Sequence, residues 1–176
     1  MKMMKVSFRG FSLPELAATL AIAVILAVIA VPSMKSMLAD RRIAALTHQL
    51  YGSIQLARSE AINRGYPVSL CRTVDSTTGQ CIDEGEDWAS GWLVFVDNDS
   101  DGRLDEGDDP IRVYGQQPAD VQIVWNRGHY LRFDSRGQAR DAGTFTLCET
   151  LADSVAARSI SISMTGRARV SDLDSC

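Results

Sequence analysis

One apolar run near the amino terminus constrains this chain more than any other feature. Residues 11–32, FSLPELAATLAIAVILAVIAVP, carry a single charge, Glu15, and are otherwise almost wholly apolar. About 20 such residues in a helix cover the roughly 30 Å hydrocarbon thickness of a bilayer. The sequence therefore predicts a membrane-spanning helix segment over residues 11–32 and a globular domain over residues 33–176.

A short basic segment precedes the apolar run. Residues 1–10 contain Lys2, Lys5 and Arg9 and no acidic residue. Basic residues ahead of a membrane segment keep that end of the chain in the cytoplasm. The apolar run also lacks the small-residue cleavage pattern that ends an ordinary secretory signal. We therefore expect one membrane segment, with the domain that follows it on the side of the membrane away from the cytoplasm.

The junction between these two segments resembles a known leader sequence. Its residues, RGFSLPEL, are similar to the leader junction of type IV pilins and pseudopilins. In that family a prepilin peptidase removes the leader and methylates the new amino terminus, which implies cleavage between Gly10 and Phe11. Pro14 stands where isoleucine is commoner, and proline is accepted in the first turn of a helix.

Glu15 matches the acidic residue that this family uses in filament assembly. A carboxylate within a membrane segment is costly and by default marks a functional contact. Its expected partner is the free amine of Phe11 in a neighbouring subunit. The alternative is that Glu15 lies at the headgroup level, where an acid near the helix amino terminus suits the helix dipole.

After the apolar run, the pattern predicts the rest of a long helix and then short strands. Apolar residues recur at helical spacing as far as Ala61, and Gly65 is expected to end the helix. Eight later segments have strand-like composition and are separated by turn residues. They are 66–72, 91–97, 110–114, 121–125, 129–133, 144–148, 158–164 and 167–171. The predicted fold class is therefore α+β, a long amino-terminal helix packed on antiparallel β-sheet.

Two longer stretches extend the resemblance over most of the chain. Residues 56–71, LARSEAINRGYPVSLC, and residues 87–114 look like the globular domain of the GspH and FimT group of minor pilins and pseudopilins. The resemblance implies a protein that crosses the inner membrane once and has a periplasmic domain, or that is assembled in an extracellular pilus. It also implies contacts with other pilins and no catalytic activity. The sequence also lacks Gly-x-Ser-x-Gly, and we predict no enzyme.

The chain contains an even number of cysteines. They are Cys71, Cys81, Cys148 and Cys176, with no CxxC pair. Two disulfides in an oxidising compartment fit this usage better than a zinc site. The favoured pairs are Cys71 with Cys81 and Cys148 with Cys176, because each closes a local loop. The two other pairings and free thiols remain open alternatives.

An acidic loop over residues 97–108, DNDSDGRLDEGD, has the spacing of a calcium-binding EF-hand loop. The residues at those positions are Asp97, Asp99, Asp101, Gly102 and Asp108. Carboxylate oxygens at alternate positions suit calcium. The loop follows a strand instead of a helix, and the last ligand is Asp instead of Glu. A solvated hairpin loop without cofactor is therefore the preferred interpretation, with calcium as the alternative.

The charges along the chain are segregated. Without the leader, the chain has fifteen basic residues, the total of 18 less three, against 22 acidic residues, a net charge of −7. Eleven of the 22 acidic residues lie between residues 83 and 109. Residues 121–170 contain seven arginines against four acidic residues, a net charge of +3. The carboxy-terminal half is therefore locally basic, although overall charge disfavours nucleic acid.

A short motif lies in this basic half. Gly166, Arg167, Ala168 and Arg169 match the Gly-Arg-x-Arg motif with which FimT-type minor pilins bind DNA during natural transformation. Strand alternation points both arginines to one face. Guanidinium groups bind phosphates bidentately, which suits sequence-independent capture of double-stranded DNA. Three further arginines are candidate supporting contacts: Arg136, Arg140 and Arg158.

The motif and the family resemblance together predict a FimT-like minor pilin that binds extracellular DNA for uptake. The main alternative is a structural subunit without DNA binding. Such a subunit is FimU-like if it primes pilus assembly, and GspH-like if it serves a type II secretion pseudopilus. If the chain is such a structural subunit, the two arginines of the motif are a solvated pair at a hairpin and bind no DNA.

Overall fold

The structure is a computed structural model that describes residues 13–74, 79–85, 87–149 and 156–176, apart from the side chains of residues 29–33, 35 and 36. It divides into two compact units, Met1–Leu38 and Ala39–Cys176. The predicted cleavage and methylation residues, Gly10 and Phe11, lie outside the described residues.

The first element is the helix α1, Leu13–Arg64. Glu15 lies in its first turn, and the described apolar side chains that follow, such as Leu20 and Val24, are exposed. Within the part of the chain that the structure describes, no helical stretch combines the length and the apolarity needed to cross a membrane. The span over residues 11–32 remains a prediction.

The part of α1 within the second unit has the predicted amphipathic character. Leu50, Ile54 and Ala57 are fully buried and belong to one core with side chains from both sheets. The helix ends where Gly65 adopts a φ of +71° and its N–H donates to the carbonyl of Ala61 at 3.0 Å. Glycine at this left-handed position is the predicted helix stop.

All eight predicted strands are present. They are β1 (Val68–Arg72), β2 (Trp92–Val96), β3 (Asp109–Tyr114), β4 (Val121–Trp125), β5 (Tyr130–Phe133), β6 (Gly143–Glu149), β7 (Ala157–Ile162) and β8 (Ala168–Leu173). They form two four-stranded antiparallel sheets, with orders β3-β2-β1-β5 and β4-β6-β7-β8. A short 3-10 helix, Trp88–Ser90, precedes β2.

The three tryptophans pack inside the domain. Trp88 and Trp125 contact Phe145, with ring centroids 4.9 and 4.2 Å apart. The indole N–H of Trp92 donates to the hydroxyl of Ser53 on α1 at 3.0 Å. Buried aromatic side chains of this size contribute strongly to folding, so the three tryptophans act in the packing of the domain.

Both disulfides have the favoured pairing. Cys71 in β1 is bonded to Cys81, and Cys148 in β6 is bonded to Cys176 beyond the end of β8. The second bond joins the carboxy-terminal tail to the strand two places away in the sheet, because β7 lies between β6 and β8. It therefore fixes the far end of the β7–β8 hairpin.

Candidate nucleic-acid interface

The Gly-Arg-x-Arg motif lies at the turn of the β7–β8 hairpin. The carbonyl of Ser163 accepts a hydrogen bond from the N–H of Gly166 at 2.8 Å, and the N–H of Ser163 donates to the carbonyl of Arg167 at 3.0 Å. Gly166 has a φ of +75°. A turn followed by a left-handed glycine is a common way to close a hairpin. The motif therefore begins where β7 turns into β8.

Gly166 is also required by the packing of the hairpin tip. A Cβ atom at this position would lie 2.0 Å from the carbonyl oxygen of Gly137 and 3.0 Å from Nε of Arg58. A neighbouring hydrogen bond joins the N–H of Ala139 to the carbonyl of Met164 at 3.1 Å. The structure thus gives the motif glycine a role in holding the tip against the segment that contains Gly137 and Ala139.

The two motif arginines point to the same face, as predicted. Ala168 between them is buried in the core, whereas Arg167 and Arg169 are exposed. Arg169 is paired across the hairpin with Ser161. Among the residues that the structure describes, neither arginine forms an ion pair with an acidic side chain. Both guanidinium groups are thus exposed and uncompensated.

We define the hairpin face as the outward positions of β6, β7, β8 and their turn, which alternate with the core positions. It consists of Thr144, Thr146, Cys148, Ala157, Ser159, Ser161, Ser163, Arg167, Arg169, Ser171 and Leu173, of which Cys148, Ala157 and Ser159 are buried by their neighbours. The acidic residues of these strands, Glu149 and Asp172, occupy the alternate positions. The hydroxyls of Thr144 and Ser161 lie 3.1 Å apart. The hairpin face therefore combines two arginines with hydroxyl groups and contains no acid.

The three candidate supporting arginines have different positions. Arg136 and Arg140 are exposed on the segment that contacts the hairpin tip, but Arg136 is paired with Asp134 at 3.2 Å. Arg158 shares the core-side positions of β7 and pairs with Asp172 at 3.1 Å. The structure therefore does not bring Arg158 onto the hairpin face, because its place in the strand alternation is opposite to that of Ser161.

One residue near the tip has no recognisable signal in the sequence. Arg58 of α1 donates from Nε to the carbonyl of Gly137 at 3.1 Å and from Nη2 to the carbonyl of Thr165 at 3.2 Å. In the sequence it is one of several polar residues interleaved on an amphipathic helix. Its partners are 79 and 107 residues away, so no local pattern could identify them.

The acidic loop has a buried carboxylate at its start. Asp97 is fully buried and accepts hydrogen bonds from Ser69 Oγ at 2.5 Å, Asp101 N–H at 3.1 Å and Gly102 N–H at 3.0 Å. Burial raises the pKa of the Asp97 carboxyl, and the bonds from Ser69 and Gly102 oppose that shift. Through these hydrogen bonds Asp97 stabilises the conformation of the loop.

Three of the four predicted calcium ligands come together in this loop. Carboxylate oxygens of Asp97, Asp99 and Asp101 lie within 4.8 Å of one another. Asp108 instead accepts from the backbone N–H groups of Asn98 and Asp105, at 2.9 and 3.4 Å. Calcium binding therefore stays a prediction, and a thermal melt of the chain with added calcium tests it.

Comparison with known proteins identifies the family of this fold. The family described as Type II transport protein GspH matches residues 46–166, so the chain belongs to the GspH family of type IV pilin-like proteins. No curated protein sequence matches it at a significant level. The family and fold are those of pilin-like structural proteins, in which minor pilins and pseudopilins are grouped.

Solved structures of a minor pilin have a similar fold. The type IV minor pilin FimU of Pseudomonas aeruginosa strain PAO1 is 23% identical, with a TM-score of 0.57 over 77% of this chain and 96% of its own. A second crystal form of FimU is 22% identical, with a TM-score of 0.54 over 76% of this chain and 98% of its own. Identity at this level shows a shared fold.

Proposed function

We propose that this chain is a minor type IV pilin that binds extracellular DNA for uptake in natural transformation. The observation that supports this most is the pair of exposed, uncompensated guanidinium groups of Arg167 and Arg169 on a hairpin face without acidic side chains. Their Gly-Arg-x-Arg motif matches that of FimT-type minor pilins, and the chain has the family's fold.

The proposed binding is to the phosphate backbone. Arginine forks bind phosphate oxygens bidentately, and serine and threonine hydroxyls add weaker contacts that carry no sequence information. Ser161 and Ser163 stand beside the arginines on the hairpin face. Double-stranded DNA of any sequence is therefore the expected ligand.

The overall negative charge does not oppose this binding strongly. At physiological salt, exposed charges farther apart than about 8 Å are largely screened. The absence of acidic side chains from the hairpin face therefore counts for more than the net charge of the chain. Two phosphate contacts give modest affinity, so several copies or additional subunits are needed for tight capture.

A second candidate function is that of a structural subunit. The similarity to FimU favours a minor pilin that primes pilus assembly, and the family description favours a pseudopilin of a type II secretion system. In either case other pilins are the partners, and Glu15 acts in assembly with Phe11 of a neighbour.

Mass spectrometry of the chain from its host tests the proposed processing, since cleavage after Gly10 and one added methyl group are expected.

The two candidate functions differ in one measurement. The full chain in nonionic detergent is titrated with fluorescent duplex DNA at several salt concentrations. DNA binding through two phosphates predicts a log–log salt slope of about −2. The double variant Arg167→Ala, Arg169→Ala then loses binding. A control that loses the same charge, Arg41→Ala with Arg112→Ala, keeps it.

The result that favours the structural subunit is equally specific. It is either no binding by the unmodified chain, or binding that the Arg167→Ala, Arg169→Ala variant retains with the same slope. Thermal melts of both double variants verify that each remains folded, because surface substitutions of this kind change stability little.

A further inference from the structure

We propose that Arg58 of α1 is a positioning residue that holds the hairpin tip, residues 163–167, in one pose and thereby presents Arg167 and Arg169 to a phosphate backbone. We call the hydrogen bonds of Arg58 to the carbonyls of Gly137 and Thr165 the tether, and it follows from contacts within the chain. Its consequence for DNA rests on the proposed function.

Arg58 joins two loops that are far apart in sequence. Its Nε donates to the carbonyl of Gly137 at 3.1 Å, and its Nη2 donates to the carbonyl of Thr165 at 3.2 Å. Gly137 lies between β5 and β6, and Thr165 lies between β7 and β8. Neighbouring donors of one planar guanidinium group therefore fix two backbone segments to the same helix.

Close packing accompanies these hydrogen bonds. A Cβ atom on Gly137 would lie 2.6 Å from Cδ1 of Ile62 and 3.2 Å from Cγ of Arg58, so the backbone of Gly137 rests directly on α1. A Cβ atom on Gly166 would lie 2.0 Å from the carbonyl oxygen of Gly137. Two glycines thus allow a helix, a turn and a hairpin tip to stack in direct contact.

The location of the tether explains how it acts on the motif. Thr165 and Gly166 directly precede Arg167 and lie in the hairpin turn. A flexible turn loses conformational freedom when it binds, whereas a turn already held in its bound pose does not. Arg58 therefore contributes to affinity through the pose of the turn, since its Nε and Nη2 are directed to protein carbonyls.

Lysine cannot replace Arg58 in this role. Its ammonium group is a point charge without two donors in a fixed plane. Arg58→Lys keeps the charge and the fold and separates the tether from electrostatics, while Arg58→Met keeps an apolar stem and removes both donors. Arg41→Met is the matched control, since Arg41 is an exposed arginine of the same helix.

The experiment combines two measurements on the full chain in nonionic detergent. Hydrogen exchange of the peptide that contains residues 163–167 is expected to be about tenfold faster in Arg58→Lys and Arg58→Met than in the unmodified chain, because local opening is easier. Duplex DNA affinity is expected to fall about tenfold in both variants with an unchanged salt slope. Arg41→Met is expected to change neither quantity.

Two results would overturn the inference. One is hairpin exchange in Arg58→Lys equal to that of the unmodified chain. The other is full binding by Arg58→Lys together with a salt slope reduced by about one in Arg58→Met, which makes Arg58 a phosphate contact. If the unmodified chain binds no DNA, the proposed function fails. The hydrogen-exchange measurement still tests whether Arg58 holds the hairpin tip in place.

Discussion

The substitution Gly166→Ala separates two reasons for a glycine at the hairpin tip. One reason is conformational, since Gly166 has a φ of +75°. The other is spatial, since an added Cβ would lie 2.0 Å from the carbonyl oxygen of Gly137. Gly65 is a matched control, because it has a φ of +71° and nothing within 4 Å of its Cβ position.

The expected cost of Gly166→Ala follows from these two contributions. A left-handed backbone at a residue other than glycine costs about 1–2 kcal/mol. The contact with Gly137 is with backbone and cannot be relieved by a side-chain rotation, so the tip must move away. That movement breaks the hydrogen bonds of Arg58 to Gly137 and Thr165, at about 1 kcal/mol each.

Gly166→Ala is therefore expected to lower the free energy of unfolding by about 3–4 kcal/mol. Gly65→Ala is expected to lower it by about 1–2 kcal/mol. A domain of ordinary stability, about 5–15 kcal/mol, survives both changes.

Urea unfolding followed by circular dichroism measures both variants. The domain, residues 39–176, is a compact unit with its own core, and the same curves on this fragment test whether it folds alone. Equal losses of stability in the two variants would refute the packing argument and leave only the conformational one.

Three further changes have defined outcomes. Cys148→Ser is expected to remove about 3–4 kcal/mol of stability and Cys71→Ser slightly less, since their disulfides span 28 and 10 residues; urea curves compare them. Burial raises the pKa of Asp97, so the free energy of unfolding is expected to fall as the pH rises from the ordinary pKa of 3.8 through the raised pKa. Melting temperatures measured across this pH range are expected to change less in Asp97→Asn. Arg42→Ala leaves the buried carboxylate of Glu149 without its 2.9 Å partner and is expected to cost about 3 kcal/mol in the same urea assay.

The local features of the fold were predictable from the sequence. Turn residues and strand-like composition mark all eight predicted strands, and a glycine marks the end of α1. The division into two sheets was not predictable, because local alternation says which face a side chain occupies and not which strand lies beside it. Thus β5 follows β4 in sequence but pairs with β1, a choice made by the burial of residues distant along the chain.

The candidate site was likewise predictable from the sequence only in part. The shared face of Arg167 and Arg169 follows from alternation and is confirmed by the buried Ala168 between them. The same alternation places Arg158 with Ile160 on the core side of β7, so its exclusion from the hairpin face was present in the sequence. The role of Arg58 was not, since hydrogen bonds to backbone carbonyls depend on no particular side chain in the partner.

The bond between Cys148 and Cys176 has a mechanical consequence. An edge strand such as β8 is normally the easiest strand to peel from a sheet, because a pull at one end breaks its backbone hydrogen bonds one after another. Here the chain after β8 is covalently anchored to β6. The strand therefore cannot be peeled from its carboxy-terminal end, and a pull directed along β8 loads its backbone hydrogen bonds with β7 together. A pull at the hairpin is thus resisted by covalent bonds as well as by the sheet.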